Sequence, residues 1–156
     1  MNYRSIGKST AFERDAEVRN LFSSLGYHSH LITSFITNMR KIEREMLFAI
    51  NNKGNWSKAN TSVKRCKDAY LGDAMRVELH GNHIATISDT GRIKISDAGW
   101  QSNTTKSRLN AILTELKGYA YGIAQRKFEW FLSDKNGESD MYSNTWYEID
   151  ALNIGV

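Results

Sequence analysis

Met75-Arg76-Val77-Glu78-Leu79-His80-Gly81-Asn82-His83-Ile84-Ala85-Thr86-Ile87-Ser88-Asp89-Thr90-Gly91-Arg92-Ile93-Lys94-Ile95 is the stretch that decides the fold. Met75, Val77 and Leu79 alternate with Arg76, Glu78 and His80, which is the period of a strand with one buried face. Gly81-Asn82 supplies a two-residue turn suited to a tight hairpin, and His83 to Ser88 runs back. Asp89-Thr90-Gly91 then turns the chain into Arg92 to Ile95. Three runs joined by short turns predict an antiparallel meander. A weaker strand is expected at Thr61 to Lys67.

Upstream of Trp56 the period is 3.6 instead of 2. Thr10 and Glu13 have the spacing of a capping box, in which hydroxyl and carboxylate satisfy each other's backbone donors. A helix from Ala11 to Ser24 is predicted behind it, with Val18, Leu21, Phe22 and Leu25 near one face and Gly26 as its stop. Leu31, Ile32, Phe35, Ile36, Met39, Ile42, Met46 and Leu47 then recur at three- and four-residue steps. They predict one long amphipathic helix, opened near Ser29 and closed at Asn51 to Gly54. Arg40, Lys41, Glu43, Arg44 and Glu45 occupy its other face.

Downstream of the meander, polar Ser102 to Thr105 opens a third helix with Leu109, Ile112, Leu113 and Leu116 at helical spacing, and Gly118 ends it. Short strands are expected at Tyr119 to Gln125 and Phe128 to Leu132. A polar loop, Asp134 to Asp140, and an aromatic end with Tyr142, Trp146 and Tyr147 follow. The expected class is α+β: an N-terminal helical hairpin followed by a small antiparallel β-β-β-α-β-β module. One domain, 1–156, is expected, made of a helical extension (1–55), the module (56–133) and an acidic aromatic tail (134–156).

A chain of 156 residues can bury roughly 70% of its unfolded surface. Its 40% hydrophobic and 24% charged residues are a globular balance, against wholesale disorder or a membrane protein. No apolar run approaches the roughly 18 residues of a spanning helix. The first residues, with Arg4, Lys8, Glu13 and Arg14, form no apolar signal core, so a soluble cytoplasmic protein is expected. The single Cys66 provides neither an internal disulfide nor a cysteine zinc cage. The formal charge of +4 is uneven. Residues 1–55 hold eight Lys/Arg against five Asp/Glu (+3), residues 56–128 twelve against six (+6), and residues 129–156 one against six (−5). The basic middle can attract an anionic partner; equally, the acidic tail can lie across it.

Most signatures of chemistry fail. Gly7-Lys8-Ser9-Thr10 looks like the tail of a phosphate-binding loop, but the earlier glycine would fall at Asn2 and no strand precedes it. His28 with His30, and His80 with His83, have no third ligand at a motif spacing. There is no Gly-x-Ser-x-Gly elbow and no recognisable carboxylate pair. Catalytic residues converging from distant positions would leave no such trace, but nothing points to an enzyme, a metal or a cofactor. The start of the third helix is more informative. Lys106 and Arg108 lie in its first turns, where the helix dipole disfavours cations. With the hydroxyls of Thr104 and Thr105 they could form an anion site; alternatively the threonines only cap the helix and Arg108 pairs with an acid such as Asp97.

Asn60-Thr61, Val77 to Ala85, the run Ala98-Gly99-Trp100-Gln101-Ser102-Asn103-Thr104-Thr105-Lys106-Ser107-Arg108-Leu109-Asn110, and Glu129-Trp130-Phe131 together carry a pattern. It resembles a small module of bacteriophage and mobile-element proteins of unknown function, over residues 56–133. The resemblance implies a phage origin and a compact antiparallel sheet with one helix, and it implies no catalytic residue. The expected function is therefore a non-enzymatic phage accessory protein in the host cytoplasm that binds nucleic acid through a basic face. Lys64, Arg65, Lys67, Lys94, Thr104, Thr105, Lys106, Arg108, Arg126 and Lys127 are its candidate contacts. Trp56 and Trp100 are candidate stacking surfaces, with core packing the competing role. The alternative is a counter-defence or host-takeover inhibitor that binds a host protein such as a nuclease.

Overall fold

The structure, a computed structural model, describes residues 39–150. The chain divides after Arg44, and both sheets and the second helix belong to the unit that begins at Glu45. The elements are α1 (Lys41–Asn51), β1 (Trp56–Lys58), β2 (Thr61–Asp68), β3 (Gly72–Leu79), β4 (Asn82–Ser88), β5 (Ile93–Ile95), α2 (Asn103–Lys117), β6 (Gly122–Arg126), β7 (Glu129–Asp134), β8 (Gly137–Asp140) and β9 (Tyr147–Ile149). They build a six-stranded sheet, β1-β2-β3-β4-β5-β9, and a separate three-stranded sheet, β6-β7-β8, with every pair antiparallel.

This corrects the expected α+β class with its N-terminal helical hairpin and single small module. Among the described residues strand outweighs helix, with nine strands in two sheets, two helices and no helical hairpin ahead of the strands. The helix expected from Ala11 to Ser24 lies outside the described residues. Of the long helix expected from near Ser29, the part before Met39 lies outside the described residues; Met39 and Arg40 are not helical, and α1 begins at Lys41. The reason is local: the Glu43 carboxylate accepts from the Arg40 backbone N–H at 3.2 Å, as the third helical residue does in a capping box. The apolar period continues across this start, which is why periodicity alone overlooks it.

Two further differences concern the strands. The β3–β4 turn is His80-Gly81, not Gly81-Asn82, because Leu79 pairs with Asn82. His80 (φ 50°) and Gly81 (φ 77°) are both left-handed, the sign pattern of the type I′ turn that matches strand twist. The expected loop at Asp134 to Asp140 is largely strand β8, and the aromatic end supplies β9. The tail thus gives one strand to each sheet.

The core lies on one face of the large sheet. Val63, Met75, Val77, Leu79, Ala85, Ile87, Ile93, Ile95 and Ile149 are buried and share that face by register. Helix α2 packs against β4 of the large sheet and β6 of the small one, and buries Leu109, Ile112 and Leu113. Each such side chain contributes roughly 1.5–3 kcal/mol. Ser102 caps α2, its Oγ accepting from Thr105 N–H at 3.1 Å, and Gly118 closes it at φ 105°. Asn110 fastens the helix to the edge strand β6: its Nδ2 donates to Ile123 O at 3.0 Å and its Oδ1 accepts from Ile123 N–H at 2.6 Å. A side chain at Gly122 would crowd that contact, since its Cβ would lie 3.2 Å from Asn110 Oδ1.

Candidate functional site

Strand alternation sends Lys64, Arg76, Thr86, Lys94 and Glu148 to the face of the large sheet opposite the core. The register sets them side by side: Lys64 opposite Arg76, Arg76 opposite Thr86, Thr86 opposite Lys94, and Lys94 opposite Glu148. Three cations therefore cross the sheet in one row. Like charges so close are unfavourable alone, and carboxylates are interleaved with them. Glu78 accepts from Lys64 Nζ and from Arg76 Nε, each at 2.8 Å. Asp68 lies 3.4 Å from Lys94 Nζ, and Arg92 pairs with Glu148. Lys64 donates to Glu78 and, after burial is offset, holds its carboxyl below the usual range. The backbone N–H groups of Leu71 and Tyr70, then Lys94, do the same for Asp68. The cations are the outer members of these pairs: side-chain exposure is 57% for Lys64 and 40% for Arg76 against 12% for Glu78. Lys94 is 24% exposed against 18% for Asp68, and Thr86 in the middle of the row is buried, so ammonium and guanidinium meet solvent mainly at Lys64 and Arg76.

An aromatic ring stands at each end of this face. Tyr70, in the β2–β3 turn, is 66% exposed. The Arg92 guanidinium lies 4.7 Å and the Lys94 ammonium 5.7 Å from its ring centre. At the other end the pairing of β3 with β4 slips between Val77 and Glu78, so that Ala85 faces Val77 while His83 faces Glu78. Such a bulge re-aims a side chain; here it turns His83 to the outer face. His83 Nε2 lies 2.7 Å from Thr86 Oγ1 and 3.1 Å from Ala85 O. Burial, then the Arg76 charge, lowers its pKa. Trp146 rests on it at 4.7 Å between ring centres and remains 45% exposed.

The other sequence candidates go elsewhere. Arg65 grips Asp89 with two bonds, 2.6 and 2.5 Å, and Lys67 lies 3.7 Å from Asp73. Arg126, on the small sheet, pairs with Glu138 and covers the Phe131 ring at 4.0 Å. Lys127 is exposed in the β6–β7 turn. At the start of α2, Ser102 is the cap, while Thr104 and Thr105 lie inside the helix. Thr105 is buried with its Oγ1 2.9 Å from Ser102 Oγ. Arg108 is also buried, its Nε donating to Thr61 Oγ1 at 3.2 Å. Lys106 reaches outward to Gln125 Oε1 at 3.0 Å. The structure thus brings Lys106 to Gln125 and sends Thr105 and Arg108 inward. Trp56 pairs with Val63 and is half-buried, whereas Trp100 is 67% exposed in the turn after β5. That turn is held by buried Asp97, whose Oδ1 accepts from Gly99 N–H at 2.8 Å and Asn144 N–H at 2.7 Å.

The family model of the Kyanoviridae Gp96 protein, a phage protein, matches residues 39–151. The chain belongs to this family. No curated protein and no solved structure matches it. The Kyanoviridae Gp96 match extends on both sides of the 56–133 module and takes in the whole cation row with both flanking aromatics. Among the described residues no group of His, Cys, Asp and Glu is placed to hold a metal ion, and no helix is long and apolar enough to cross a membrane.

Of the residues expected from sequence, Lys64 and Lys94 stand in the row. Arg76, Tyr70, His83, Thr86 and Trp146 were missed as members of the site. Arg76 had a signal, since it alternates with Met75 and Val77. Trp146 had none, because it reaches the face only through the pairing of β9 with β5.

Proposed function

We propose that this phage-family protein is a non-enzymatic accessory protein of the host cytoplasm that binds nucleic acid on the outer face of its six-stranded sheet. The observation that carries this is the cross-strand row of Lys64, Arg76 and Lys94, each held by an acid less exposed than itself. From β2 to β5 the row spans three strand spacings, about 14 Å, enough to follow several phosphates. Phosphate contacts release counterions, so affinity falls as salt rises. The test is fluorescence anisotropy with labelled oligonucleotides at two salt concentrations. Binding at low salt that weakens at high salt, and that Arg76→Glu reduces about tenfold or more, is expected. No binding at low salt removes this reading.

A second reading, an inhibitor of a host protein such as a nuclease, draws on a separate observation. Trp100 and Tyr142, each 67% exposed, lie on two loops joined through Asp97 to Asn144 and through Gln101 Nε2 to Met141 O at 3.2 Å. Large exposed aromatics on well-held loops suit protein contact. Retention of one host protein after nuclease treatment, lost with Trp100→Ala, would favour it.

A further inference from the structure

We infer that the outer face of the large sheet selects single strands, whose bases stack on Tyr70 and Trp146 while their phosphates meet Lys64, Arg76 and Lys94. This rests on the nucleic-acid reading above and names its substrate class. The two rings flank the cation row along the strand direction. The β2–β3 turn that carries Tyr70 lies at the Ser88 end of β4, because Asp68 pairs with Gly72 and Ala74 with Ser88. Trp146 lies at the His83 end of the same strand. Tyr70 reaches Lys94, which lies opposite Thr86, from one side, and Trp146 lies on His83, which holds Thr86, from the other, so a short run of nucleotides can engage both rings.

Each ring is steadied from within the protein and still open to a ligand. Arg92 and Lys94 hold Tyr70, and His83, itself tied to Thr86, holds Trp146. The two residues nonetheless remain 66% and 45% exposed. Stacking on aromatic rings needs bases that are not already stacked and paired, and aromatic platforms beside cations are how single strands are held without sequence preference. In a duplex the base faces are hidden, so Tyr70 and Trp146 would contribute nothing. Glu78, Asp68 and Glu148 are the carboxylates of this face, and each is engaged by a cation that is more exposed than it is.

The experiment measures anisotropy of the full chain with a labelled 20-residue oligothymidine and with a hairpin duplex of the same charge, at low salt. The single strand is expected to bind at least tenfold more tightly. Tyr70→Ala and Trp146→Ala should each weaken it about tenfold, within the roughly 5- to 150-fold range of one stacked base. Trp146→Phe should restore most of the loss, and Lys58→Ala, at the sheet edge, should change nothing. Thermal midpoints near the parent's show that the variants are folded; Tyr70, exposed in a turn, is the safer of the two. Equal or tighter duplex binding, or aromatic variants within twofold of the parent, overturns the single-strand inference. If Arg76→Glu still abolishes binding in that case, the sheet-face reading survives it. If neither oligonucleotide binds, both fall.

Discussion

The two sheets present outer faces of opposite character. On the large sheet Lys64, Arg76 and Lys94 stand outward above Glu78 and Asp68. On the small sheet Arg126 shares its face with Glu129, Glu138 and Asp140, which the register of β6, β7 and β8 sets beside Phe131. The C-terminal acids are not spread evenly over the basic middle: β8 carries Glu138 and Asp140 to the small sheet, while β9 carries Glu148 to the edge of the large one. The charge contrast along the chain therefore becomes a contrast between two surfaces. Exposed ion pairs add little stability, so their main effect here is on where positive charge reaches solvent.

The largest effect that would break this comparison is Val77→Asp. Val77 is fully buried on the inner face of the large sheet, and an unpaired buried charge costs several kcal/mol. Ala124→Asp, on the half-buried outer face of the small sheet, should cost a small fraction of that. Urea denaturation of both variants checks it, and equal losses would mean that the faces are wrongly assigned.

Next in size is the helix that touches both sheets. Burial pushes Glu115 up to about 7, against 4.5 for an ordinary glutamate, although Asn51 Nδ2 donates to its Oε1 at 3.3 Å. Its Oε2 has no partner. Because the folded protein holds this proton more tightly than the unfolded chain, the contribution is fully present below pH 4.5 and lost as pH rises through 7. A rise from 4.5 to about 7 corresponds to roughly 3 kcal/mol. Glu115→Gln should therefore gain stability relative to the parent between pH 5 and pH 8. Unfolding curves at the two pH values measure the difference, and parallel pH profiles for the two proteins would contradict it.

The hairpins of the two sheets should respond with opposite sign. Gly81 (φ 77°) and Phe128 (φ 67°) occupy the same second position of left-handed two-residue turns, after His80 (φ 50°) and Lys127 (φ 50°). Gly81→Ala should cost about 1–2 kcal/mol, since left-handed backbone crowds a Cβ. Phe128→Gly should be the smallest change and a gain, up to about 1 kcal/mol less the extra unfolded-chain entropy of glycine. Phe128 is 92% exposed, so little packing is lost. Thermal midpoints moving down for the first and up for the second sharpen the comparison; a loss in both would show that Phe128 holds the small sheet together.

Part of this was legible in the residues. The meander, helix α2 with its Gly118 stop, and the Lys64 and Lys94 candidates all lie in stretches whose alternation or capping is local. The start of α1 was not legible, because Glu43 caps Arg40 inside an unbroken apolar period. The site was legible only in part. Arg76 alternates plainly, but its neighbours in the row come from β2, β4 and β5, and only register brings them abreast.

The amino-acid sequence by itself determined the strands of the meander, the hairpin turn to within one residue, the second helix and the uneven charge. Each depends on neighbours a few residues apart, whose periodicity and turn chemistry act before any tertiary contact forms. Tertiary structure alone decided that the tail splits between two sheets, that a bulge turns His83 outward under Trp146, and that Arg108 and Thr105 go into the core. Those outcomes hinge on strand order and on a register in which one step exchanges the two faces. They are set by burial between segments tens of residues apart, and no local pattern records that choice.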